Sequence, residues 1–221
     1  MPRKKAQHDV ALEVVCNIGR AVATEVDLAS LLELIYRETG RVMDTHCFTM
    51  ALYDPAEQGL RFELIYDRGE HLAPMLLRKA EGWGLAGQVF EERTPLLYDD
   101  LQVEAPQQAV QIGGRPRSWL GVPLVARERA IGVISVQSYD ARAFGAADQR
   151  LLEAISSQAA VAIENLFLRR EQERRIAELS ALSEIGRAII TAVGLEDLLA
   201  VLYRETSRVM DTSNFYIALY H

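Results

Sequence analysis

Apolar residues recur every fourth position at Val10, Val14, Ile18 and Val22, which predicts a helix over residues 10–24. A second helix follows. Asp27 stands where an N-cap belongs, Leu28, Leu31, Leu32, Ile35 and Val42 fall on one face, and Met43 and Asp44 close it. The pattern then turns apolar and extended over residues 47–53, and Asp54 and Pro55 end that strand. Leu60, Phe62, Leu64 and Tyr66 alternate along the next strand, which Asp67, Arg68 and Gly69 break. The middle is irregular: glycines at 82, 84 and 87 lead into a short helix through Glu92, residues 95–98 read as a short strand, and residues 99–117 as a polar loop. Residues 118–125 and 130–136 are two more strands, and the short connection between them predicts an antiparallel hairpin.

From Ala147 to about Val193 the chain has no proline and one glycine, Gly186, so a single long helix is expected. Its first part places Leu151, Ile155, Ala159, Ala162, Ile163 and Leu166 toward a core. Residues 169–175 are then wholly polar, the mark of a helix that bridges solvent or lies between domains. Ile176, Leu179, Leu182, Ile185 and Ile189 resume an apolar stripe, but the polar stretch interrupts any continuous heptad of a coiled coil.

The chain also repeats itself. Tyr36-Arg37-Glu38-Thr39 recurs as Tyr203-Arg204-Glu205-Thr206, an offset of 167 residues. At the same offset Arg41, Val42, Met43, Asp44 and Thr45 recur as Arg208, Val209, Met210, Asp211 and Thr212, and about half of residues 12–53 match without a gap. That period is far longer than the ~20–50 residues of a solenoid unit and fits a whole domain. The expectation is one complete unit and the opening of a second, with a strand over residues 215–220 whose unpaired edge seeks an intermolecular partner. On this reading the chain is a fragment of a longer protein.

Composition narrows the function. With 31 acidic and 24 basic side chains the net charge is -7, which gives no electrostatic reason to meet nucleic acid or an anionic membrane. Cys16 and Cys47 are isolated from each other, so neither a disulfide framework nor a zinc site is expected, and a cytoplasmic location is. No signal peptide opens the chain, and no stretch reads as the ~20 apolar residues of a membrane span.

Three segments, in order, carry a family resemblance. Gly82-Trp83-Gly84-Leu85-Ala86-Gly87-Gln88-Val89 with Thr94-Pro95-Leu96 is the first. The second is Ser118-Trp119-Leu120-Gly121-Val122-Pro123-Leu124 with Ile131-Gly132-Val133-Ile134-Ser135-Val136, and the third runs over residues 144–165. Together they resemble the GAF domain over roughly residues 28–168. The resemblance implies an α+β fold: an antiparallel sheet of five to six strands, helices packed on one face, and a long connecting helix after it. It divides the chain into an N-terminal signalling-type helix (1–26), a complete GAF domain (27–168), a connecting helix (169–193) and the start of a second GAF domain (194–221). It further implies a cytoplasmic sensor in a multidomain signal-transduction protein, with a histidine kinase of a two-component system as the output module. The alternative is a ligand-free dimerisation scaffold. The partners expected are a second copy, through helices 10–24 and 147–193, and a small molecule of unknown identity; no cofactor, metal, nucleic acid or membrane contact is expected.

Family ligands can be weighed residue by residue. Cyclic-nucleotide binders of the family carry an Asn-Lys pair and Phe-x-x-x-Asp-Glu; here Phe144 and Asp148 match, Gln149 follows, and no Asn-Lys pair exists. Phe144 is then a core residue and Asp148 a helix cap. Cys47 reads as a buried strand residue rather than a chromophore anchor, and His71 as a solvated loop histidine rather than a haem ligand. A reductase of free methionine sulfoxide resembles this fold but resolves its chemistry through a second cysteine that the domain lacks. Residues 113–117 (Gly-Gly-Arg-Pro-Arg) form either an anion-holding loop or a simple turn. What remains is a set of ligand-binding candidates, Trp83, Tyr98 and Trp119 with Asp99 or Arg115 as the polar contact, whose aromatics equally suit a filled core. No catalytic set is present, and the chain is not expected to be an enzyme.

Overall fold

β-branched and aromatic residues in short runs between turn residues become strands of one antiparallel sheet in the computed structural model, which describes residues 2–21, 27–104, 114–191 and 195–218. The strands are β1 (Cys47–Asp54), β2 (Gly59–Asp67), β3 (Glu70–His71), β4 (Met75–Arg78), β5 (Leu96–Tyr98), β6 (Ser118–Ala126) and β7 (Arg129–Ser138). They lie in the order β3-β2-β1-β7-β6-β5, with β4 also pairing with β2. Seven strands exceed the five to six expected. The additions are β3, only two residues long, and β4, where Ala73 and Pro74 conceal a short run from any periodicity. β6 and β7 form the predicted hairpin, turning through Arg127 and Glu128, both at positive φ (46° and 65°).

The helices are α1 (Pro2–Ala21), α2 (Leu28–Thr39), α3 (Gly84–Glu92), α4 (Leu101–Glu104), α5 (Ala146–Thr191) and α6 (Leu195–Thr206). Residues 22–24 of the expected first helix lie outside the described residues, as do 219 and 220 of the expected last strand. Asp27 caps α2 as its sequence predicts, accepting from the Ser30 N–H at 2.9 Å. The helix stops at Thr39, ahead of Val42, because the chain turns tightly at Gly40, whose N–H donates to Tyr36 O.

The chain divides into two units, residues 1–166 and 167–221. In the first, one sheet face carries Phe48, Met50, Leu64, Leu120, Val122, Leu124, Ile134 and Val136. Val14 and Ile18 of α1, Leu31, Leu32 and Ile35 of α2, and Leu152, Ile155, Ala159 and Ile163 of α5 pack on it. Burying these side chains supplies the main driving force of the domain, at ~1.5–3 kcal/mol for each large one. Phe144 is buried in this core and Asp148 accepts from the Gly145 N–H at 2.9 Å, so both have the structural places expected of them. One correction concerns α5: over an 18-residue window it is apolar enough to resemble a membrane span. The cause is the small and branched apolar face, rich in Ala and Ile, that it lays on the sheet.

In the second unit, Arg208 bridges Glu205 at 2.7 Å and Glu184 at 2.8 Å, and Arg204 reaches Glu205 at 2.9 Å. A proton shared with Glu184 and the two guanidinium groups hold the buried Glu205 carboxyl well below the usual carboxylate range. In the first unit Arg41 bridges Glu38 at 2.7 Å and Glu13 at 3.1 Å, with Asn17 also donating to Glu38. Residues 215–218, expected as a strand, take no regular structure, because a strand needs a pairing partner and no other strand occurs among the described residues of that unit.

Candidate functional site

The second sheet face is built differently from the first. Strand register sorts its residues into rows that cross β5, β6, β7 and β1 (a period-2 alternation). Leu96, Gly121, Ser135, Thr49 and Ile65 stand opposite one another in one row, and Pro123, Val133, Ala51 and Phe62 in the next. The row on the other side is Tyr98, Trp119, Gln137 and Cys47, which the Cys47 thiol extends to Asp67 on β2 at 3.1 Å. Polarity rises across these rows. The apolar end packs under α3 through Leu85, Ala86 and Val89, with Trp83 and Phe90 beside them.

Glycines set how closely this layer packs. The Trp119 ring lies over Gly121, where a Cβ would fall 2.0 Å from its Cη2, and the Trp83 ring lies against Gly87 at 1.9 Å from such an atom. No side chain larger than hydrogen fits at either position without moving an indole.

The polar row has one carboxylate. Asp67 accepts from Tyr139 Oη at 2.7 Å, from the Cys47 thiol at 3.1 Å and from the Gly114 N–H at 3.0 Å. Burial pushes its carboxyl up, but these donors outweigh burial and leave it below the usual range. Burial pushes the Cys47 thiol up to about 11, opposed in part by a hydrogen bond from the Arg68 backbone and reinforced by Asp67. Such a thiol is not a nucleophile at neutral pH. Thr49 and Ser135 satisfy each other at 2.8 Å.

Gln137 is the exception. It is 9% exposed, and among the described residues its amide makes no hydrogen bond. Every fully enclosed side-chain nitrogen or oxygen among the described residues has a partner, so the Gln137 amide opens onto solvent-accessible space. The Trp119 indole N–H, 6% exposed at the residue level and directly across from Gln137, likewise has no acceptor among the described residues.

Of the residues singled out by sequence, Trp83, Tyr98 and Trp119 come together on this face. Asp99 and Arg115 are both exposed, and neither stands in the polar row. Gly114, in the loop considered for anions, donates its N–H to Asp67 instead, and Arg117 pairs with Asp100. His71 lies on β3 and stacks on Tyr66 at 5.1 Å. Sequence reasoning missed Thr49, Asp67, Ser135, Gln137 and Tyr139. The signal was there: Ser135 and Gln137 alternate with Ile134 and Val136 along β7, and Tyr139 follows in the same alternation just past its end.

Comparison with known proteins agrees with this architecture. Among solved structures, the GAF domain of an Acinetobacter phosphoenolpyruvate-protein phosphotransferase is 18% identical with a TM-score of 0.56, over 71% of this chain and 94% of that one. A free methionine-R-sulfoxide reductase from Neisseria meningitidis, in complex with its substrate, is 22% identical with a TM-score of 0.59, over 72% and 91%. A GAF sensor protein from Burkholderia vietnamiensis is 20% identical with a TM-score of 0.56, over 70% and 93%. At such identities the likeness is one of fold. The sequence profile described as "GAF domain" matches residues 25–164, most of the chain, and with the sheet and helices above it makes this protein a member of the GAF domain family, a family of regulatory rather than catalytic modules.

Proposed function

We propose that residues 27–168 are a small-molecule sensor in a cytoplasmic signal-transduction protein, and that α5 relays the signal to a second GAF domain beginning near residue 194 and on to an output module such as a histidine kinase. The observation that carries this reading is the polar row on the second sheet face, where Gln137 and Trp119 hold polar groups among buried residues without a partner among the described residues. A face evolved only for packing gains nothing from such groups, since an apolar side chain of the same shape would fill the place equally well. The matching Arg–Glu ties of Arg41 and Arg208 support the second domain.

A homodimer belongs to the same proposal. Ile176, Leu179 and Leu182 on α5 are 64%, 67% and 65% exposed, an apolar stripe suited to a second copy. Dimerisation without a ligand is the competing function, and this stripe is what favours it.

The test compares amide hydrogen exchange in the chain as purified with the chain stripped of small molecules by unfolding and refolding. Faster exchange across β6 and β7 after stripping is expected. Identical exchange in the two preparations contradicts the sensor function.

A further inference from the structure

The charge inventory of the polar row says what kind of molecule belongs there. No Lys or Arg stands in Tyr98, Trp119, Gln137, Cys47 and Asp67. Arg68 sits 4.4 Å over the Tyr139 ring and acts on the Asp67 carboxylate, so its charge already has a counterpart. Within this row an incoming anion meets the Asp67 carboxylate and no Lys or Arg side chain. The single carboxylate, Asp67, already has three protein donors, from Tyr139, Cys47 and Gly114, so it does not call for a cation. What is open is uncharged: the Gln137 amide, which both donates and accepts, and the Trp119 N–H, which donates. The two face each other across neighbouring strands as direct partners, so their Cβ atoms stand ~4.5–5.5 Å apart, within the width of one planar group.

We propose that this row recognises a neutral molecule with a carboxamide-like edge, a donor beside an acceptor, paired to the Gln137 amide with Trp119 alongside. The proposal rests on the sensor function above and adds the ligand's chemical class. It has a stability signature too. Because the Gln137 amide bonds nothing among the described residues, replacing it with the similarly shaped methionine removes none of their interactions. A residue kept for a ligand is expected to be dispensable to the fold.

Isothermal titration with two neutral–anionic pairs, nicotinamide against nicotinate and uracil against orotate, tests it on the full chain and on Gln137→Met. In the full chain at least one neutral member is expected to bind ten-fold or more tighter than its anion. Gln137→Met is expected to lose that binding by about ten-fold, the equivalent of one hydrogen-bonded pair, while its Tm stays equal to or above that of the unaltered chain. Preference for an anion, or unchanged binding by Gln137→Met, overturns the ligand class and leaves the sensor function standing. A fall in Tm for Gln137→Met overturns the assignment of Gln137 to a ligand. Silence from all four probes overturns the class, and with equal exchange in stripped and purified chain it overturns the sensor function as well.

Discussion

A single carboxylate organises the edge of the candidate site. Asp67 draws together a thiol from β1, a phenol that follows β7 and a loop N–H at Gly114. Asparagine at this position keeps one acceptor but turns an N–H2 toward donors. Asp67→Asn is therefore expected to cost about 1–2 kcal/mol of stability at pH 7, measured by denaturant unfolding. The sign of the pH dependence follows from the lowered carboxyl. Stabilisation is whole above the unfolded value of ~3.9 and is lost as pH falls below it, through the folded value. The gap between the two proteins should close over that acid range. A gap that stays constant into acid contradicts the role given to the carboxylate.

Among the elements, α3 illustrates how much of the fold was legible and where it was not. Its three glycines read in the sequence as an irregular entry to a short helix, and Gly84–Glu92 is that helix. Why Gly87 must be glycine was not legible, because the reason is the Trp83 ring pressed against it from one turn away. Gly87→Ala is expected to push that ring out of the second-face cluster and destabilise the domain by about 1–3 kcal/mol, read in thermal unfolding. Unchanged stability would show that α3 is held by other contacts. The four-residue α4 falls inside the loop expected over residues 99–117, but periodicity located α1, α2, α5 and the strands β1, β2, β6 and β7, since each has a buried face with a repeat of 3.6 or 2. It missed β3 and β4, too short for a period to show, and over residues 215–218 it predicted a strand that takes no regular structure. The site was half legible. Its aromatics stood out by size and position, whereas Gln137, Thr49 and Ser135 become a row only when strand register sets them side by side. Register between distant strands is a tertiary property.

For the whole molecule, α5 has two kinds of surface. Up to Leu166 one face of it, with Leu152, Ile155, Ala159 and Ile163, is buried on the sheet. Beyond it, residues 169–175 hold helix through ion pairs along the same helix, Arg169 with Glu173 and both Arg174 and Arg175 with Glu171, and need no apolar partner there. Ile176, Leu179 and Leu182 then face outward. Glutamate at both Leu179 and Leu182 is expected to weaken the proposed dimer ten-fold or more in sedimentation equilibrium, with far-UV circular dichroism unchanged. An equally tight dimer would place the self-contact elsewhere.

The most direct measurement on the sensor function is the mass of the purified chain under native and then denaturing conditions. If the row of Tyr98, Trp119, Gln137, Cys47 and Asp67 holds a ligand, the native species carries extra mass, that of one small neutral molecule per chain, which disappears on unfolding. A native dimer at twice the chain mass and nothing more contradicts the ligand site and favours a scaffold that works by pairing alone.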